Sequence, residues 1–222
     1  MKKLTTKIIL ALSLITITAN ANEWRDAEIS KAGEKMWKKI GYTKFSEAKK
    51  WGTGEYDFYK AKKWALNGFK SYDESIKWIE LGVNSPAIAK MFKKSGYSVA
   101  KIQNECGNKL IDVHKFLTSN IYSFENKCFM GGFKISSVEE RKVSNKRKIE
   151  AFAYNIIIKY GDEYKGNRAV WITARNKELV QDFVRANSIY GLYKVTPKTK
   201  KVNLVNGSSL KINILDRIIA VK

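Results

Sequence analysis

Residue types that could carry chemistry are few in this chain, and they are poorly placed for it. His114 is the only histidine among 222 residues. That excludes a two-histidine metal site and leaves any Ser-His or Cys-His arrangement resting on one residue with no motif around it. The adjacent acids Glu139-Glu140 and Asp162-Glu163 fall in predicted turns, whereas acid/base catalysis needs carboxyl groups opposed across a cleft. Met130-Gly131-Gly132-Phe133 lies inside a strand pattern and does not read as a phosphate loop. The expectation is a noncatalytic protein with no cofactor and no metal.

Charge is the stronger signal. Lys and Arg number 42 against 21 Asp and Glu; leaving out Lys2, Lys3 and Lys7 of the N-terminal segment still leaves 39 basic residues. Two clusters stand out: Arg141, Lys142, Lys146, Arg147 and Lys148, then Lys198, Lys200 and Lys201. Such clusters suit an anionic polymer such as a glycan, lipopolysaccharide phosphate or nucleic acid, and Trp171, Tyr190 and Tyr193 are candidate stacking surfaces beside them. A bland alternative stays open. Abundant Lys, Ile, Asn and Tyr with only two prolines is also the bias of an AT-rich genome, the basic residues then being solvated loop tips and the aromatics core.

The elements that would position these clusters come from the C-terminal half. Residues 108–118 have a helical pattern, with Leu110, Val113, Phe116 and Leu117 on one side. The period then changes. Residues 127–138, 149–160, 168–174, 188–195 and 201–205 read as strands, with a further strand pair over 210–221 after an Asn206-Gly207-Ser208-Ser209 turn. Residues 177–184 read as a short helix between the third and fourth strands. Three strands, a helix and two strands is the order of an oligonucleotide/oligosaccharide-binding (OB-like) β-barrel, with Gly131 and Gly132 where the first strand must bend. An SH3-like barrel or a small open sheet is the alternative. In an OB-like barrel the two basic clusters fall on the loops joining strands one and two and strands four and five, which flank the usual binding face.

The N-terminal half is a repeat. Trp37, Trp51, Trp64, Trp78 and Phe92 recur every 13 or 14 residues. A glycine follows four later at Gly41, Gly68, Gly82 and Gly96, and Tyr42, Tyr56, Phe69, Val83 or Tyr97 five later. A small residue (Ala48, Ala61, Ser75, Ala89) lies three before. This spacing predicts short helices, each closed by a left-handed glycine and stapled by contact between the aromatic and the residue after the glycine. Ser85-Pro86 is the clearest start signal, with Ser46, Ser71 and Ser98 as others. The second unit departs, with Glu55 at the glycine position and Gly54 one residue early, and a distorted turn is expected there. Two-turn helices are too short to be stable alone, so neighbours must share a core. The Trp stripe therefore reads as core in preference to an exposed ladder for sugars or bases.

Residues 1–21 carry basic residues, an apolar run and an Ala19-Asn20-Ala21 cleavage site, the pattern of a secretory signal peptide. The mature product is expected in the periplasm or outside the cell, with no membrane span. In an exported chain the two cysteines, Cys106 and Cys128, read as a structural disulfide. The expected organisation is a signal peptide over 1–21, a helical repeat domain over 22–105 and the barrel over 106–222: an α+β protein. The repeats also suit a second role, docking another envelope protein.

The W-x3-G-[FY] repeats, followed by Cys106 and the segment Asn120-Ile121-Tyr122-Ser123-Phe124-Glu125-Asn126-Lys127-Cys128, resemble a group of uncharacterised exported bacterial proteins. In that group such repeats precede a C-x-n-NPY-x3-GKC segment and a small β domain. Here Ile121 replaces the proline and Asn126 the glycine. The resemblance spans most of the mature chain and implies export and this two-part fold; it implies no activity.

Overall fold

The computed structural model describes residues 23–120, 122–143, 146–159, 162–174 and 177–221, with the backbone alone at 141–143, 146–148, 158–159, 162, 164 and 177. The proposed signal peptide lies outside the described residues. Helices come first and a closed five-stranded β-barrel follows, an α+β architecture. The chain forms two compact units. One holds the described residues up to Ile79 with Asn84–Lys90, the other Glu80–Val83 with the described residues from Met91 onward.

The first unit is built from short helices α1 (Lys31–Lys39), α2 (Phe45–Trp51) and α3 (Glu55–Leu66), with parts of α4 (Tyr72–Leu81) and α5 (Pro86–Lys94). After α1, Gly41 takes φ +105° and the Tyr42 N–H donates to Trp37 O at 3.1 Å. The Trp37 and Tyr42 rings then meet edge to face at 5.7 Å. After α3 the same closure recurs: Phe69 N–H donates to Trp64 O at 3.1 Å, and the rings lie 5.0 Å apart. Satisfying the last carbonyls this way ends each helix and turns its terminal aromatic into core. Trp37, Trp51, Trp64 and Trp78 are all buried, as are Ala48, Ala61, Ser75 and Ala89. Edge-to-face contacts link successive turns, from Trp37 to Phe58, Tyr42 to Trp51 and Phe69 to Trp78.

Helix α2 closes differently. It stops at Trp51, Gly52 takes φ +104°, and the Asp57 carboxylate fills the space where a Gly52 side chain would stand. Gly54 is the N-cap of α3, and its N–H donates to Asp57 Oδ2 at 3.3 Å. Because α3 starts so early, Tyr56 falls on its first turn and not at the staple position. It is 80% exposed, against 2% for Tyr42 and 1% for Phe69. Ser71, Ser85 and Ser98 accept N-terminal N–H groups as their spacing predicts. Ser46 does not: α2 begins at Phe45 with Lys44 as an N-cap making no side-chain bond, so Ser46 sits inside the first turn.

In the second unit α6 (Val99–Cys106) leads to α7 (Val113–Thr118). The helix predicted over 108–118 is shorter. Leu110 and Ile111 donate their N–H groups at 2.8 Å to Leu81 O and Cys128 O, away from any helical ladder, and Asp112 caps α7 through the His114 N–H at 2.7 Å. Cys106 and Cys128 form a disulfide, their Cα atoms 5.2 Å apart.

The barrel strands are β1 (Cys128–Val143), β2 (Lys146–Lys159), β3 (Asp162–Ala174), β4 (Ser188–Asn203) and β5 (Ser209–Val221), with α8 (Lys177–Arg185) between β3 and β4. They close in the order β1-β2-β3-β5-β4, with β1 antiparallel to β4 and β3 parallel to β5. Residues 188–195 and 201–203, read from the sequence as parts of two strands, belong to one, and Leu204 and Val205 lie beyond its end. Pro197 sits where the β4–β5 register shifts between Val195 and Thr199, and a bulge has no need of the missing N–H. Residues 210–221 are correspondingly a single strand. Phe129, Phe133, Tyr193, Val195 and Leu215 fill the interior with Phe116 of α7 and Phe183 of α8. On β2 the buried contributors are the small Ala151 and Ala153, with Ile149 packed beside them. Gly132 faces the Tyr190 ring so closely that any side chain there would clash.

Candidate anion-binding face

Two strand pairs run on as two-stranded ribbons beyond their other barrel partners. In the first, Glu139↔Glu150, Glu140↔Ile149, Arg141↔Lys148, Lys142↔Arg147 and Val143↔Lys146 are in register. In the second, Lys200↔Ile212, Lys201↔Lys211, Val202↔Leu210 and Asn203↔Ser209 are in register. The basic residues expected at loop tips therefore lie largely on strands, where the ladder satisfies backbone groups that a loop would leave to water. Of the sequence-predicted set, Arg141, Lys142, Lys146, Arg147 and Lys148 are placed by backbone register. Lys200 and Lys201 lie on the β4 side of the second ribbon, and Lys198 lies in the bulge beneath it. Three cross-strand pairs set cation directly opposite cation. In an antiparallel ladder like charges so placed are unfavourable.

Lys200 joins the two ribbons to the barrel wall. Its Nζ lies 3.3 Å from Glu139 Oε2 on the first ribbon and 2.9 Å from the centroid of the Trp171 ring on β3. The Trp171 indole N–H in turn donates to the carboxylate of buried Glu150. Trp171 belongs to the outer face of β3, since its neighbours Val170 and Ile172 point into the core. It is nonetheless only 2% exposed, because Lys200 covers it.

The other two predicted aromatics divide. Tyr193 points into the barrel core, and burial pushes its phenol well above the ordinary range. This corrects its reading as a stacking surface: on β4 the alternation turns it inward with Val195. Tyr190 is half-buried and donates its hydroxyl to the Glu163 carboxylate. Burial first, then that bond, pushes Tyr190 up to about 12. Glu163 is held below the usual carboxylate range, chiefly by Tyr190 and then by Ser188.

Sequence reasoning missed Phe152, Tyr154 and Lys165. Phe152 and Tyr154 alternate with the inward alanines and so share the outer face of β2, where Phe152 lies 6.1 Å from Trp171 and 5.2 Å from Tyr154. Lys165 Nζ stands 3.6 Å from the Tyr154 ring centroid. The signal was legible in the run Ala151-Phe152-Ala153-Tyr154. When the small residues of an alternating strand face the core, the large ones face outward. The result is an aromatic row on β2 and β3 under two lysines, flanked by two cationic ribbons.

Other concavities lie elsewhere. A cleft of about 440 Å³ is lined by Met91, Tyr97, Glu178, Leu179, Asp182 and Ile218. Asp182 there pairs at 3.0 Å with Arg217, which is only 2% exposed. In the first unit a cleft of about 300 Å³ is lined by Tyr56, Tyr59, Lys60, Lys63 and Pro86. His114 is exposed on α7. Among the described residues no three His, Cys, Asp or Glu side chains cluster as metal ligands would, and no helix is long and apolar enough to cross a membrane. No protein-family model matches the chain, and no curated protein matches it in sequence.

Proposed function

We propose that this is an exported, noncatalytic envelope protein whose OB-like barrel grips an anionic polymer between its two basic ribbons. The observation that carries the reading is the register itself. Arg141↔Lys148, Lys142↔Arg147 and Lys201↔Lys211 oppose cation to cation where one acidic substitution per pair would relieve the repulsion. A polyanion lying between the ribbons would relieve it too. The strand order with parallel β3–β5 pairing and a helix between β3 and β4 supports the OB-like assignment. Phe152 and Tyr154, partly exposed on the outer face of β2, support a ligand with stackable rings, whether sugars or bases, whereas Trp171, covered by Lys200, is closed to it.

The test is binding of the mature protein to peptidoglycan, lipopolysaccharide and single-stranded DNA across a salt series. A variant with Arg141, Lys142, Lys146, Arg147 and Lys148 changed to Ser is measured alongside. Saturable binding to one of them that survives moderate salt and collapses in the variant supports the reading. Weak binding to all three, lost equally with salt in both proteins, means that the charge is compositional. A second reading, docking of an envelope protein on the repeats, is favoured by the exposed Tyr56 and Tyr59 cleft of the first unit. It would respond to Tyr56→Ser and little to salt.

A further inference from the structure

We infer that the end of the β4–β5 ribbon is a membrane-surface anchor whose apolar tip enters the headgroup region of a bilayer rich in anionic phospholipid. The tip carries Leu204, Val205 and Leu210, exposed by 43%, 111% and 46%. Val202 pairs with Leu210, so both lie on one face of the ribbon, while Lys201 and Lys211 oppose each other on the other face. From Thr196 to Leu215 the chain has four lysines, Lys198, Lys200, Lys201 and Lys211, and no acidic residue. Apolar side chains at the end of a cationic ribbon are of no use to a soluble polyanion. They match a bilayer surface, where stable attachment needs two signals together: apolar burial and attraction to anionic headgroups. Lysines one rung back can extend their charged ends to the phosphates while their stems follow the apolar side chains inward.

The tip is also held ready. Leu204 N–H donates to Ser208 O at 2.8 Å and Gly207 N–H to Leu204 O at 3.0 Å. The Asn206 side chain accepts from the Ser208 N–H at 3.1 Å and from its hydroxyl at 2.6 Å. A turn already closed loses little conformational freedom when it inserts. The inference stands on the exposed tip and its lysines, and it holds whether or not the ribbons also grip a soluble polymer.

The test uses the mature chain and vesicles of phosphatidylglycerol and phosphatidylcholine in equal parts, with pure phosphatidylcholine vesicles as the neutral comparison. A Val205→Trp variant should show a blue shift of its added emission on the anionic vesicles and quenching by lipids brominated on the acyl chain. Changing Leu204, Val205 and Leu210 to Ser should lower co-sedimentation with anionic vesicles by about tenfold or more. Lys201→Ser and Lys211→Ser should lower it by about fivefold each, on anionic vesicles only. Binding of single-stranded DNA, measured in parallel, should be unchanged in the triple Ser variant. That comparison separates failure of the anchor from failure of polymer binding. Vesicle binding unchanged in the triple variant, or no quenching of Trp at position 205, would overturn the inference. So would self-association through the tip without vesicle binding, which would assign the tip to a second copy of the chain.

Discussion

Lys200 Nζ lies 2.9 Å from the centre of the Trp171 ring while also reaching Glu139 at 3.3 Å. One lysine from β4 thus holds an aromatic on β3 and a carboxylate on β1. Lys200→Ala should uncover Trp171 and lower stability by about 1 kcal/mol, a figure set mainly by the cation–π contact. Urea unfolding would read the loss, and acrylamide quenching would read the newly exposed indole. An unchanged unfolding midpoint together with unchanged quenching would mean that Lys200 covers nothing of consequence.

The opposed cations make stability and binding pull in opposite directions. Lys201→Glu turns Lys201↔Lys211 into an attractive pair and should stabilise the barrel by about 0.5 kcal/mol at low salt, with the gain fading as salt rises. The same change should weaken any polyanion binding. A variant that binds better would contradict the proposed role of the ribbon.

Alkaline pH should weaken the barrel through Tyr190. Its folded value, about 12, stands above the ordinary 10.0, so its contribution is fully present below pH 10 and is lost as pH rises toward about 12. Glu163 has the opposite sign: its folded value is lowered, so its contribution is present above its ordinary 4.5 and is lost as pH falls through the folded value. Unfolding curves of Tyr190→Phe should fall less steeply above pH 10 than those of the parent protein. Parallel curves would show that the Tyr190–Glu163 bond does not govern alkaline stability.

Glycines that look alike in the repeats should respond differently to alanine. At Gly41 nothing lies within 4 Å of the added methyl group, so the cost is that of the left-handed backbone alone, about 1 kcal/mol. At Gly52 the methyl group would also meet Asp57 Oδ2 at 2.2 Å, so the loss should be larger. Thermal unfolding of the two variants decides this, and equal losses would remove Asp57 from the account.

The disulfide should stabilise the second unit by about 3 kcal/mol on the loop-closure model, given its separation of 22 residues. Replacing both Cys106 and Cys128 with Ser and measuring urea unfolding tests it. Indifference to the change would mean that the unfolded chain is already compact across that loop.

The helical half was legible because one local rule, an aromatic, then glycine four later, then a large apolar residue, is written into most of its closures; Trp37-Gly41-Tyr42 and Trp64-Gly68-Phe69 obey it without outside help, and the closure after Trp51 departs from it. The barrel was less legible, because its decisions are not local. The β4–β5 register shift between Val195 and Thr199 joins two stretches that read as separate strands, and it is set by pairing with β5. Tyr193 and Trp171 look equivalent in sequence, yet one turns into the core and the other lies under a lysine 29 residues away on β4. Phe152 and Tyr154 went unnoticed for the same reason: which face of β2 is inside depends on how much of the barrel Phe129 and Phe133 already fill.

The early stop of α2 at Trp51 bears on how such an array can be rebuilt. Segments that begin and end on the stapled closure have matching junctions and can be exchanged or copied like beads of one pattern. The piece containing Gly52, Gly54 and Asp57 cannot, because its junction needs a carboxylate from the following helix to complete it. Anyone lengthening this protein by duplication should cut elsewhere. The slip thereby gives an otherwise interchangeable series one position that has to stay where it is.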